Sequence, residues 1–311
     1  METWSRLRRA IIAKNFVLKS KKTSLLLRSL LGNSKKLSFL DVGAGNRYLA
    51  ILLNFDGCAN ISMVDPHKNL FWSYENLKKH LIFKDLIKPY KVGIGKKTKR
   101  KTLYIGKKST GSTFVDIFKI ANDKKIKLNM DYFSKSKETV KVFSVKNLLT
   151  KYKLKKPEIV KIDVEGLEVD VLESVLDVSK PFLIQLETNI NSALYGNTFN
   201  QIHKKLTSLN YNLATFHPNF NYPEYSSINK KILNDYYDYP KIRSRIMMAD
   251  SIYILKSKNT LREIIMLIGY GFLIEAFQMF NKIEKKIEIK KRKNLKIFFM
   301  KYIPKSVFKT I

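Results

Sequence analysis

Glu158-Ile-Val-Lys-Ile-Asp-Val-Glu-Gly-Leu-Glu168 carries the sharpest signal in the chain. Its first half is a short apolar run of the kind a parallel strand shows when both its faces are covered. Its second half sets Asp163 and Glu165 at the strand's carboxyl tip, then Gly166, then a helix starting near Leu167. Open α/β sheets bind ligands outside the carboxyl ends of their strands. Carboxylates at that edge can act as a general base, orient a hydroxyl or bind a divalent cation. The plainer reading is structural. Asp163 would cap the free amides of the next helix, and Glu165 would do the same or pair with Lys161.

Outward from this segment, apolar runs of strand length alternate with amphipathic stretches. They predict strands over Leu37 to Val42, Asn60 to Asp65, Tyr90 to Ile94, Glu158 to Val164, Pro181 to Glu187, Asn212 to Phe216 and Ser251 to Lys256. Helices are expected over Tyr48 to Asn54, Leu70 to Phe83, Leu167 to Leu176 and Thr198 to Ser208. Such alternation implies βαβ units in a doubly wound sheet. The polar, lysine-rich stretch from about 96 to 145 interrupts the pattern. Its two β-like pieces, Lys101 to Ile105 and Val140 to Val145, read as an inserted hairpin with a surface loop.

A second segment, Phe39-Leu-Asp-Val-Gly-Ala-Gly-Asn46, runs a strand into a loop with glycines at 43 and 45. Glycine allows positive φ and removes bulk, so a cofactor can lie against the backbone of Gly43, Ala44, Gly45 and Asn46. The next strand ends in Asp65-Pro66, where an acid suits ribose hydroxyls. Both a dinucleotide and S-adenosylmethionine fit this pattern. The third glycine that a dinucleotide needs is Tyr48 here, whereas Asp41 suits the cationic methionine end of S-adenosylmethionine. A tight turn without cofactor is the plain alternative.

Together these segments closely resemble the FkbM methyltransferase family. Lys161-Ile-Asp-Val-Glu-Gly166 is the most specific part of the resemblance, which covers roughly residues 37 to 256. Asp65-Pro66 with Glu75-Asn76-Leu77, Val92-Gly-Ile-Gly95, Gly111-Ser112, Phe182 to Glu187 and Asp250 to Leu255 are similar to further family features. Two departures stand out: the loop reads Gly43-Ala-Gly-Asn-Arg47 rather than Gly-Ala-Asn-x-Gly, and Val145-Lys146 replaces a Leu-Asp pair. The resemblance implies a Rossmann-like class I fold with a seven-stranded, mostly parallel sheet and helices on both faces. It implies S-adenosylmethionine as cofactor and methyl transfer, usually to oxygen, with a sugar-type or other small-molecule acceptor. Gly93 joins the expected cofactor contacts. Asp163, Glu165 and Glu187 are the expected catalytic groups, with His217 in Phe216-His-Pro218 as an outsider. Asp163 and Glu187 could bridge a Mg²⁺, but the site is read as holding no metal. No His/Cys spacing for zinc exists.

The ends differ from the middle. Residues 1 to 36 read as a basic helical extension, 37 to 256 as the methyltransferase domain and 257 to 311 as a second basic, apolar-rich helical extension. Ile264 to Phe280 is almost wholly apolar with Glu275 its only charge, and is expected to be a buried or surface-lying helix rather than a span. From Lys256 onward there are 14 Lys/Arg against 4 Glu. That tail could lie on an anionic membrane with Phe298, Phe299, Tyr302 and Ile303 below the headgroups, or pack on the domain.

Fifty-nine Lys/Arg against 26 Asp/Glu give a formal net charge of +33. Such a field favours anionic surfaces, though lysine outnumbers arginine, the usual phosphate reader. A nucleic-acid methyltransferase rests on that charge alone, and a dinucleotide enzyme is disfavoured by the glycine spacing. One cysteine, Cys58, excludes an internal disulfide, and Lys14 and Lys19 break the apolar run a secretory leader would need. The expected setting is cytoplasmic, peripheral to the inner face of the membrane if the tail binds there.

Overall fold

The computed structural model describes residues 19–32, 34–45, 50–68, 70–106, 112–125, 133–190, 192, 195–219, 248–257 and 259–304. The described residues form ten strands: β1 Leu37–Val42, β2 Ala59–Val64, β3 Ile87–Tyr90, β4 Gly93–Ile94, β5 Lys99–Gly106, β6 Phe133–Phe143, β7 Ile159–Ile162, β8 Leu183–Asn189, β9 Tyr211–Asn219 and β10 Met248–Leu255. Seven make one sheet in the order β3-β2-β1-β7-β8-β10-β9, with β10 antiparallel to both neighbours and the other pairs parallel. Every residue of β1 and β7 is buried, as their unbroken apolar runs require.

Helices cover both faces. α1 spans residues 19–31, α2 Leu70–Lys78, α3 Ile117–Asp123, α4 Val145–Tyr152, α5 Glu168–Leu176, α6 Thr198–Ser208, α7 Leu261–Tyr270, α8 Leu273–Ile283 and α9 Ile289–Tyr302. One apolar core joins Leu27 and Leu30 of α1 to Phe39, Ile61 and the residues of α7, α8 and α9. The other joins Leu40, Val42, Val160 and Ile162 to α4, α5 and α6. Alternate residues of each central strand thus feed opposite cores.

Several expectations are corrected by local chemistry. The strand read over Tyr90 to Ile94 divides, because a tight turn with Val92 N–H on Tyr90 O turns β4 out of the main sheet. β4 joins β6 and β5 in a separate three-stranded sheet, so the inserted hairpin is real and its second arm is far longer than expected. The helix begun at Leu70 stops at Lys78 instead of Phe83, since the Asp56 carboxylate takes the Ile82 and Phe83 amides at 2.9 and 3.0 Å. The helix expected over Tyr48 to Asn54 is a 3-10 turn over Ala50–Phe55, and its expected start lies outside the described residues. α3 and α4 were not anticipated, and the strand read to Val145 hid Ser144, which caps α4.

The apolar run from Ile264 to Phe280 is two helices. Gly271, at φ +88°, ends α7, which opens on a Thr260–Glu263 capping box. Among the described residues no helix is long and apolar enough to cross a membrane. α7 is tied to the sheet by Arg262, whose guanidinium pairs with Glu158 and donates to Lys35 O and Lys36 O. Gly269 lies so close to Phe55 that a Cβ there would sit 2.3 Å from the ring. In α9, Leu295 and Phe299 are fully buried, and Phe299 packs on Phe277 and Phe280. Of the two readings open for the tail, Phe299 and Ile303 follow the one in which it packs on the domain, since both belong to the core.

Candidate functional site

The crevice opens at the carboxyl ends of β1, β2, β7 and β8. Its first wall is the glycine loop after β1. Gly43 has φ +76°, and a Cβ at this position would lie 1.6 Å from the Asp163 carbonyl oxygen. Asp163 N–H in turn donates to Val42 O at 3.0 Å, so the tips of β1 and β7 are pressed backbone to backbone. Asp65 shapes the loop from the side: its Oδ2 accepts Gly45 N–H at 2.8 Å and its Oδ1 accepts His67 N–H at 2.7 Å. Burial pushes its carboxyl up to about 6 in spite of those two donors. Ser73 Oγ from α2 donates to Gly45 O at 2.9 Å and completes the loop's support.

Beneath the loop, Lys161 Nζ is buried among three acceptors. It donates to Gly43 O at 2.8 Å and stands 3.1 Å from Asp163 Oδ2 and 3.5 Å from Asp41 Oδ1. Burial works against its charge, but Asp163 and Asp41 outweigh that and hold its pKa above the ordinary lysine value. Asp41 is 1% exposed, and neither of its carboxylate oxygens has a hydrogen-bond partner. Its pKa is raised by burial against the opposing pull of Lys161.

The second wall is acidic. Carboxylate oxygens of Asp163, Glu165 and Glu187 lie within 4.8 Å of one another, close enough to hold a cation as well as to work on protons. Burial, then the neighbouring Asp163, pushes Glu165 up to about 8 and Glu187 to about 10. Glu165 and Glu187, both raised and with carboxylate oxygens within 4.8 Å of each other, keep protons near neutral pH. Glu165 and Gly166 both take positive φ, +50° and +100°, in the turn after β7. Thr113 Oγ1 fixes that turn by donating to Glu165 O at 2.5 Å.

Leu167 heads α5 without a side-chain cap, and Glu168 Oε1 accepts the Gly166 N–H at 2.8 Å. Neither Asp163 nor Glu165 caps α5, and Glu168 ties down the turn that precedes it. Lys161 pairs with Asp163 and Asp41 rather than with Glu165.

The crevice gathers Asp163, Glu165, Glu187, Gly43, Ala44, Gly45, Asp65 and Pro66 of the expected residues. Asp41 lies below its floor. Asn46 lies outside the described residues. Gly93 sits in β4 against Phe114 and Val142, while its neighbours Val92 and Ile94 line the crevice. His217 is exposed and faces Asp250 across β9 and β10, with Glu187 the next residue along on β8. Asp250, whose carboxyl is raised by burial and by Asp163, extends the acidic wall and was not singled out from sequence. The insertion supplies Leu103, Ser112 and Phe114 as a third wall, so it is more than a surface appendage. The crevice encloses about 220 Å³ and opens to solvent at its mouth.

The Methyltransferase FkbM domain profile matches residues 41–213, more than half of the chain. The chain belongs to the FkbM methyltransferase family. Its crevice domain is a class I, S-adenosylmethionine-dependent methyltransferase domain, and its seven-stranded sheet with one reversed strand is that fold. Similar solved structures include the FkbM methyltransferase of Methylobacillus flagellatus KT, at 13% identity and TM-score 0.39. That match covers 70% of this chain and 43% of the other, so the chain spans less than half of that relative's length. The N-methyltransferase NodS of Bradyrhizobium japonicum WM9, in complex with S-adenosylhomocysteine, is 7% identical with TM-score 0.33, over 76% of this chain and 86% of NodS. StiE O-MT residues 961–1257 are 10% identical with TM-score 0.35, over 79% and 78% of the two chains. No curated protein sequence matches.

The FkbM chain's residues fit S-adenosylmethionine. Asp41 offers a buried carboxylate without a hydrogen-bond partner, and Gly43 and Gly45 offer a bare backbone. The acidic wall favours a ligand that brings positive charge.

Proposed function

We propose that this FkbM enzyme methylates a hydroxyl oxygen of a sugar-type acceptor, in a glycan, a lipid-linked saccharide or a glycosylated metabolite. The observation that carries the reading is the Asp163–Glu165–Glu187 cluster at the open end of the crevice. A cluster that shares protons holds both acceptors and donors, which matches vicinal hydroxyls on a sugar ring. The bound cofactor supplies an electrophilic methyl group. Glu187, made a stronger base by burial and by Asp163, accepts the hydroxyl proton as the new carbon–oxygen bond forms. Asp163 and Glu165 orient the acceptor. An acidic acceptor end opposes a polyanion, which argues against the nucleic-acid alternative.

The pH dependence follows from the direction of the shifts. Glu187 is raised to about 10, so its base form is scarce at neutral pH and grows as pH rises toward 10. Activity, kcat/KM, is expected to climb from pH 7 to pH 10. Glu187→Gln is expected to lower kcat about 10²–10⁴-fold and flatten that limb. The assay follows a radiolabelled methyl group into saccharide acceptors. Label in a base-stable methyl ether supports oxygen transfer to sugar, whereas label only in RNA, or full activity in Glu187→Gln, overturns the reading.

A further inference from the structure

We propose that the outward face of α9 is a docking surface for an anionic lipid bilayer. The inner face of α9 is occupied by Leu295 and Phe299. At 3.6 residues per turn, Ile289, Lys293, Lys296, Ile297 and Met300 fall together on the opposite side. Ile289 is 74% exposed, Ile297 53% and Met300 64%, an unusual set of large aliphatic side chains to leave in water on one helix. Lys290, Lys293, Lys296 and Lys301 are exposed around them.

Charge names the occupant. From Lys285 to Lys301 there are eight basic residues and one acidic residue, Glu288. Glu288 is engaged by Lys291 at 3.4 Å, and Glu284 just upstream by Lys296 at 2.5 Å. The nearby acids are thus neutralised and the face stays strongly positive. Lysine stems can lie beside the aliphatic groups while their ammonium heads reach the phosphate layer. A two-fold contact with a second copy would set lysine rows against each other. Nucleic acid is disfavoured because the face carries lysine rather than arginine and has no ring for stacking.

The placement suits an enzyme held at a surface. The amino-terminal end of α9 lies against Gly32 and Ser34, just before β1, whereas the crevice opens at β1's carboxyl end. Docking through α9 leaves the crevice open to solvent.

The test is co-sedimentation of the full chain with phosphatidylcholine vesicles, with and without about one-third phosphatidylglycerol. Binding is expected only to the anionic vesicles, weakening as salt rises. The double variant Ile297→Asp, Met300→Asp is expected to bind at least about tenfold more weakly with unchanged Tm and cofactor affinity, since both positions are exposed. A second variant, Lys290→Gln, Lys293→Gln, Lys301→Gln, is expected to lose the preference for anionic lipid. Folded wild type that ignores anionic vesicles, or a double variant that binds them as wild type does, overturns the proposal. So does a dimer or an RNA complex that the double variant abolishes while vesicle binding persists.

Discussion

Lys161→Met is expected to cost about 3–5 kcal/mol of stability and to abolish cofactor binding. Methionine matches the lysine stem in length, so the change removes a charge more than it removes volume. Asp41 is 1% exposed with no hydrogen bond to either oxygen, and Lys161 is the cation beside it. Without that ammonium, Asp41 must either stay charged in an apolar setting or take up a proton, and either outcome costs folding free energy. Asp163 loses the same partner at 3.1 Å, and the Gly43 carbonyl loses its donor at 2.8 Å. One substitution therefore loosens the cofactor loop and the acidic wall together. Denaturant unfolding measures the stability, and calorimetry with S-adenosylhomocysteine measures the site. Unfolding within about 1 kcal/mol of wild type would show that the buried charge cluster does not hold the site together.

Gly43→Ala has the second large effect, and its contrast with Gly45→Ala separates two causes. Both glycines have positive φ, which costs an alanine roughly 1–2 kcal/mol. At Gly45 the nearest atom to an added Cβ is 3.8 Å away, so that strain is the whole expected cost. At Gly43 the added Cβ meets the Asp163 carbonyl oxygen at 1.6 Å, and that oxygen belongs to backbone that cannot swing aside. The tips of β1 and β7 must separate, moving the loop and Asp163 apart. S-adenosylhomocysteine affinity is expected to fall at least about 100-fold in Gly43→Ala, or roughly 3 kcal/mol, and far less in Gly45→Ala. Equal losses in the two variants would mean that close approach of the strands is not what shapes the loop.

The main sheet was legible because its central strands are buried on both faces and therefore read as unbroken apolar runs. Leu37–Val42 and Thr198–Ser208 were placed to the residue. The parts that were missed depend on side chains far away in sequence. Asp56, at the end of the 3-10 turn, ends α2 by taking two amides some 26 residues on. Val92 and Ile94 enter the crevice because β4 leaves the main sheet, which no periodicity signals. The acids of the site were legible because carboxylates at strand tips are conspicuous. Lys161 was seen only as a pairing partner, since a lysine in an apolar run does not announce whether it meets Glu165 or two aspartates. Asp250 could have been found from register alone, had the reversed last strand been paired against Glu187.

The tail shows how composition misleads when the fold is not known. Phe299 and Ile303 could face lipid or the domain as read from sequence, and the core of α1, α7 and α8 claims them. On α9 the aliphatic groups left outside are Ile289, Ile297 and Met300, a set that only the helix's orientation reveals.

The most direct test of the crevice is calorimetric titration with S-adenosylhomocysteine of wild type, Asp65→Asn and Glu187→Gln. The Asp65 carboxylate accepts two loop amides, which an asparagine with one acceptor oxygen cannot do. Wild type is expected to bind one equivalent with micromolar affinity, Asp65→Asn at least about tenfold more weakly, and Glu187→Gln as wild type does. That result would place the cofactor at the β1–β2 loop and leave the acidic wall for the acceptor. Absence of binding to folded wild type, or a loss in Glu187→Gln with none in Asp65→Asn, would contradict it.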